Sequence, residues 1–243
     1  MRAASLFPLL LCTVTARADF RDDQERAPRV KAARQRATDV IQGHYRAAGV
    51  AYPGRVHLRA FKGEGVVELW AGPDGQELKR VRSFAVCARS GGLGPKRKEG
   101  DGQVPEGFYQ VDRFNPYSNF HLSLGVSYPN AADRVRNKGN RLGGDIFVHG
   151  NCVTIGCLPL RDGPIEELYV AVLDARLGGQ KSIPVHIFPH RMDDEGMKWL
   201  RALGPDDALW AFWEELRPGY DAFERTHRVP RVVVDRAGHY VVR

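Results

Sequence analysis

The 243-residue sequence predicts a mainly β central domain with helices at its N- and C-terminal ends, α+β overall. Three observations carry this. Apolar residues recur with period two from Val56 onwards, and near helical spacing before Pro53 and after Asp193. Turn clusters such as Gly72-Pro73-Asp74-Gly75 separate short apolar runs. Apolar residues make up 43% of the chain and charged residues 27%, enough to bury a core and too apolar for a disordered chain.

The elements follow in order. Met1 and Arg2 give a basic start, Leu6 to Val14 is almost wholly apolar, and Ala16-Arg17-Ala18 ends the stretch with small residues at the inspected positions. This is the layout of a signal peptide cleaved after Ala18, over residues 1–18, which predicts a periplasmic or exported protein. Bulky Leu11 before Cys12 disfavours a lipid anchor. No later segment is apolar enough to span a membrane. An N-terminal helical segment, residues 19–54, contains a helix over Val30–Ala48, closed near Gly49 and Pro53.

The central unit spans residues 55–190. Strands are predicted around Val56–Ala60, Val66–Trp70 and Val81–Cys87 as a meander. Ser90–Gly107, dense in glycine, is a long loop or flap. Further strands fall at Phe108–Phe114, Leu122–Val126, Ile146–His149 and Val185–Phe188. A short helix is expected within Asn130–Asp145, and another over Ile165–Arg176. Residues 191–243 form a C-terminal helical extension with a terminal hairpin. Helices are predicted over Asp193–Leu203 and Asp206–Leu216, with Pro218-Gly219 as a break. The hairpin pairs Val232–Asp235 with Tyr240–Val242. Trp210 and Trp213 read as a packing pair.

The formal charge is +7, and removal of residues 1–18, with Arg2 and Arg17 and no acid, lowers it to +5. The excess is scattered, with Lys96-Arg97-Lys98 its densest point. No basic stripe interleaved with aromatics exists, so no nucleic-acid partner is predicted. A mild positive field suits a carboxylate-rich substrate or a plain solvated surface.

Processing would leave three cysteines, Cys87, Cys152 and Cys157. An odd number in an exported chain suggests one pair and one free thiol. The sharpest stretch is Asp145-Ile-Phe-Val-His-Gly-Asn-Cys-Val-Thr-Ile-Gly-Cys157. An apolar strand delivers His149 to its end, and Gly156-Cys157 follows in the next loop. A thiolate is the nucleophile, so a catalytic cysteine needs a base or cation beside it. His149 can act as that base, and the amides around Gly156 and Cys157 can donate to an oxyanion. On residue type alone the alternatives stay open. Cys157 could be a core thiol, and His149, Cys152 and Cys157 with His121 could bind zinc, although the four-residue gap between the cysteines is loose for that. A redox dithiol lacks its two-residue spacing.

The pattern His149-Gly150 followed by Thr154-x-Gly156-Cys157 resembles the L,D-transpeptidase catalytic domain, also called YkuD. Pro105-Glu106-Gly107-Phe108-Tyr109 looks like the family's P-x-G-x-[FY] strand entry. Ser90-Gly-Gly-Leu-Gly-Pro-Lys96 and Ser127-Tyr-Pro-Asn-Ala-Ala-Asp-Arg134 are similar to its YafK-like branch. The resemblance covers roughly residues 55–190 and implies an L,D-transpeptidase-type β-sandwich, peptidoglycan stem peptides as substrate, and no metal or organic cofactor. It implies Cys157 as nucleophile and His149 as base, with attack at a diaminopimelate centre and a thioester acyl-enzyme.

Two departures stand out. Most members have histidine where Ile155 stands and arginine where Pro159 stands. In the YafK-like branch these go with hydrolysis, and with release of a peptidoglycan-linked lipoprotein. The resemblance therefore implies a cysteine hydrolase or amidase. Cross-link formation by an L,D-transpeptidase, and a non-catalytic wall-binding module, are the alternatives. A decayed module is expected to lose His149 or Cys157, and both are present. A Cys87–Cys152 disulfide fits this picture, with two buried thiols as the other outcome. Gly150, Gly156 and Thr154 are expected to form the oxyanion donors or to shape the site. Lys96, Tyr128, Asn130 and Arg134 are candidates to meet the substrate. His121 is assigned a structural role.

Overall fold

The computed structural model describes residues 20–243, so the signal-peptide reading of residues 1–18 lies outside the described residues. Helix α1 (Pro28–Ala48) buries Val30, Ala33, Ala37, Ile41 and Tyr45, a three-and-four spacing that makes one apolar stripe. It closes at Gly49 in the left-handed conformation, φ 64°. The stripe packs on α3 (Asp162–Leu177), a helix buried on nearly all sides from Ile165 to Ala175. Arg34 to Asp174 (2.7 Å) and Arg36 to Glu166 pin the two helices together.

Strands β1 (Arg55–Phe61), β2 (Val66–Gly72) and β3 (Lys79–Ala85) form the expected meander. β4 (Gly107–Asn115), β5 (Ser123–Val126), β6 (Ile146–His149), β7 (Leu158–Pro159) and β8 (Pro184–Phe188) complete the order β3-β2-β1-β8-β4-β5-β6-β7. Gly107–Gln110 of β4 pairs with β8, whereas Val111–Asn115 pairs with β5. A register shift between Val111 and Arg113 marks where the strand passes from one leaf to the other. Bulges commonly turn such corners in sandwiches.

β7 was not expected as a strand. It forms because Leu160 donates to the His149 carbonyl (2.6 Å), which aligns Val148 with Leu158 and His149 with Pro159. Proline is tolerated at this edge because only its carbonyl is needed. That carbonyl accepts from the Cys87 amide at 3.0 Å. The chain leaving β3, at one end of the strand order, therefore meets β7 at the other. A Cys87–Cys152 disulfide, Cα atoms 5.4 Å apart, joins the same two edges.

The central strands are buried on both faces. Val56, Leu58, Ala60, Val67, Leu69, Ala71, Val185 and Ile187 point towards α3. The alternate residues meet α4 (Asp194–Ala202) and α5 (Asp207–Thr226). α5 runs straight through Pro218-Gly219, the pair expected to break it. Proline there forgoes one backbone bond. Tyr220 and Phe223 nevertheless extend the buried stripe of Phe212, Trp213 and Leu216, and packing outweighs the lost bond. Helix α2 (Ala131–Arg136) and the hairpin β9 (Val232–Val234) with β10 (Tyr240–Val242) stand where the sequence put them. Trp213 is buried and donates to Glu106 at 2.8 Å, while Trp210 is half-buried under Arg201.

Candidate active site

The two sheet edges meet beside a cleft of about 300 Å³. Val86, Ala88, Arg89 and Ser90 line it from the β3 side, Cys157 and Leu158 from the β7 side. Lys62 and Trp199 also line it. Its volume lies at the small end of ligand pockets. Cys157 is the free cysteine among the described residues, because Cys87 and Cys152 are bonded to each other.

Cys157 is partly buried. Its Sγ donates to the Asp145 carbonyl at 3.6 Å. Burial pushes the thiol above its ordinary range, and Asp145 adds to this. The Phe147 amide and the charge of Lys96 pull the other way. His149 is 1% exposed, with Phe120 against its ring at 4.8 Å. Burial lowers its pKa, opposed by the contact with the Gly150 carbonyl. That contact runs from Nδ1 at 2.5 Å. A carbonyl only accepts, so Nδ1 carries the proton and Nε2 presents a lone pair. The resting state is therefore a neutral thiol with a neutral imidazole two register steps away across the β6–β7 pair.

The catalytic loop is shaped by Thr154. Its Oγ1 accepts from the amides of Gly156 (3.2 Å) and Cys157 (2.8 Å) and donates to the Cys157 carbonyl (2.9 Å). Both amides expected to face an oxyanion are occupied by this hydroxyl in the resting structure. Gly156 has φ 134°, a region that glycine alone enters readily, and a Cβ there would sit 3.1 Å from the Gln103 carbonyl. A Cβ on Gly150 would meet Asp162 Oδ1 at 2.7 Å and His121 Cβ at 2.8 Å. His121, Asp145 and Asn151 are non-glycine residues at positive φ around β5 and β6. Such strain concentrates at functional sites. His121 bonds Glu166 (2.7 Å).

The four candidate substrate contacts divide. Lys96 is buried, bonded to Asp101 (2.6 Å) and the Lys98 carbonyl (2.9 Å), yet close enough for its charge to favour the Cys157 thiolate. Tyr128 is buried beneath it, and Lys96 Nζ lies 5.9 Å from the ring. Asn130 caps α2 through a reciprocal pair of bonds with Asp133 and also holds Phe108 and Tyr240. Arg134 bonds the Pro129 carbonyl. None of these four lines the cleft. Arg89 and Trp199, which do, carried no motif. The signal for Arg89 was its place two residues after Cys87. For Trp199, a half-exposed residue of α4, sequence held none.

The L,D-transpeptidase catalytic domain, YkuD, matches residues 68–187, from β2 to β8 and across both His149 and Cys157. YafK of Escherichia coli (strain K12) is 38% identical over 189 residues, 77% of this chain and 73% of that one. The chain belongs to the YkuD L,D-transpeptidase family. Among solved structures, the helical cell shape determining protein Pgp2 of Campylobacter jejuni aligns with a TM-score of 0.44 at 17% identity, over 80% of each chain. L,D-transpeptidase 1 of Mycobacterium tuberculosis aligns with a TM-score of 0.31 at 12% identity, over 55% of this chain and 62% of that one. YkuD family members are typically cysteine-dependent enzymes, and the family acts on peptidoglycan stem peptides. The matched YkuD region stops before α4, so Trp199 belongs to a part of the cleft wall outside it.

Proposed function

We propose that this protein is an exported cysteine hydrolase that cleaves an amide at a diaminopimelate centre of peptidoglycan stem peptides, releasing a wall-linked lipoprotein. The observation that carries the reading is Cys157: a free thiol on a ligand-sized cleft, held by a glycine-dependent loop, with a neutral histidine on the adjoining strand.

The chemistry follows from that state. Sγ rotates away from the Asp145 carbonyl and attacks the scissile carbonyl carbon as His149 Nε2 takes its proton. The C–N bond breaks, and His149 returns the proton to the departing amine. A thioester remains on Cys157. Water, deprotonated by His149, attacks it and frees the acid, and the proton passes back to the thiolate. Hydrolysis is favoured over transfer by Pro159, where most relatives carry arginine. That position is built into the edge closure through its carbonyl and offers no cation to an incoming chain. Ile155, 89% exposed, likewise brings no second histidine to the loop. An oxidising, extracytoplasmic setting agrees with the Cys87–Cys152 disulfide. Among the described residues no helix is long and apolar enough to cross a membrane.

The test is direct. Muropeptides with and without a lipoprotein-derived lysine are incubated with the mature protein and with Cys157→Ala, and the products are weighed by mass spectrometry. Loss of the lysine adduct that depends on Cys157 is the expected result. Cross-linked products would indicate transfer, and no Cys157-dependent change would sink the enzyme reading.

A further inference from the structure

The cleft holds two cations, and they are not equivalent. Lys62 Nζ is fully engaged by Glu106 (3.0 Å) and the carbonyls of Gly94 (2.8 Å) and Val104 (2.9 Å). Arg89 is exposed and makes one bond, from Nη1 to the Gly63 carbonyl at 3.2 Å. No acidic side chain among the described residues pairs with it. Its guanidinium is nonetheless seated. A Cβ on Gly65 would fall 2.2 Å from Nη2 and 2.8 Å from Cζ, so the plane rests on bare backbone in the β1–β2 turn. The other glycine of that turn, Gly63, receives His190, whose ring lies 4.5 Å from Trp199. The turn thus fixes a cation on one side and an aromatic wall on the other. Cys157 lines the same cavity.

We infer that Arg89 is the carboxylate-binding residue of this cleft, reading a free carboxylate of the peptide whose scissile carbonyl lies at Cys157. A planar guanidinium with unused donors matches a carboxylate in two-point geometry, which an ammonium does not. Its place on the β3 side also supplies a cation to a site whose β7 edge carries Pro159. The inference rests on the reading of Cys157 as nucleophile and adds a specificity-determining residue to it. The carboxylate has two sources, the second carboxyl of diaminopimelate or that of the departing lysine.

Synthetic stem peptides joined through diaminopimelate to lysine separate these. Each carboxyl is supplied as free acid or as carboxamide, in all combinations. The wild type is expected to prefer one free acid over its carboxamide by about tenfold to a hundredfold in kcat/KM, the range for a lost charged hydrogen bond. Which carboxamide is penalised identifies the source. Arg89→Ala is expected to abolish that preference, chiefly through KM, and Arg89→Lys to retain part of it. A preference that survives Arg89→Ala, or a wild type with none, overturns the inference. Should the wild type cleave no peptide, the hydrolase reading fails separately. Calorimetric binding of the same peptides to Cys157→Ala, with and without Arg89→Ala, then decides: an acid preference dependent on Arg89 upholds the inference and its absence refutes it.

Discussion

Two regions of this molecule bury ionisable side chains, and they do so differently. At the sheet edge, Cys157 and His149 are pushed towards their neutral forms, and Cys157 lines a cavity. Beneath α5, Arg59, Glu68, His57 and His186 are packed among aromatic rings, and none of them lines the cleft. Arg59 Nη1 lies 2.7 Å from Glu224 and 3.9 Å from Glu68, with the Phe223, Phe61 and Tyr220 rings within 5.1 Å of its Cζ. Glu68 further accepts from Trp70 (2.8 Å) and Arg191 (2.6 Å). A charge without an opening has only partners to serve, and its worth is architectural. A neutral nucleophile and base beside an opening can react. The family domain's strands contribute to both regions, and burial alone does not tell them apart.

The sharpest way to break the contrast is to truncate one member of the closed network. Arg59→Ala leaves the Glu224 carboxylate without its ion-pair partner, while Glu68 keeps Trp70 and Arg191, and it removes a guanidinium packed over five rings. Truncating so large and fully buried a side chain costs about 2–5 kcal/mol. Chemical denaturation is expected to show that loss, with the kcat of the molecules that remain folded close to wild type. A specific fall in kcat at full stability would instead tie the layer to the chemistry. Removing the disulfide works the other way. Cys87→Ser with Cys152→Ser opens a bridge spanning 65 residues, for which loop-closure entropy gives about 4 kcal/mol as an upper estimate. Because that bridge holds the two edges that form the cleft, turnover is expected to fall even below the melting temperature. Unchanged turnover at 25 °C would show that the Cys87–Pro159 backbone bond suffices to keep the edges together.

What could be read from the sequence divides along the same line. Period-two runs marked the strands because one apolar face shows in the pattern at Val56, Leu58 and Ala60. The opposite face carries His57, Arg59 and Glu68, and such polarity normally marks an exposed side. Only α5 covering it reverses that inference. Cys157 and His149 were legible because spacing and family resemblance named them, and Thr154 because it belonged to the motif. Arg89 and Trp199 were not, since the cleft arises where chain segments about 110 residues apart in sequence converge, and contacts at that range leave no periodic trace. Pro218 misled for a related reason, because its local cost is certain while the packing of Tyr220 and Phe223 that outweighs it is tertiary.

The gentlest probe of the comparison is pH. His57 and His186 lie with ring centroids 4.3 Å apart on neighbouring strands, faced by Arg59 on β1, by Phe223 on α5 and by Phe108 on β4. Neither ring nitrogen of His57 has a hydrogen-bond partner among the described residues. Burial pushes His186 down to about 3, helped by the Arg59 charge. His57 is driven well below its ordinary value by burial, with His186 and Arg59 adding to it. The unfolded chain takes up protons at these histidines below about pH 6.5, while the folded chain refuses them. The unfolded state then binds more protons, so stability rises with pH through this window and falls on acidification. Each such histidine contributes a slope of about 1.4 kcal/mol per pH unit once the pH is well below 6.5. The unfolding midpoint should therefore drop between pH 6.5 and pH 4, and His186→Leu should flatten that drop. The active-site pair gives the opposite signature. The raised thiol of Cys157 should make its alkylation by iodoacetamide climb with pH beyond the range of a free cysteine, under conditions where the fold is at full stability. An alkylation profile centred below pH 8 would mean that His149 or Lys96 already holds a thiolate, and the two regions would then differ in exposure alone.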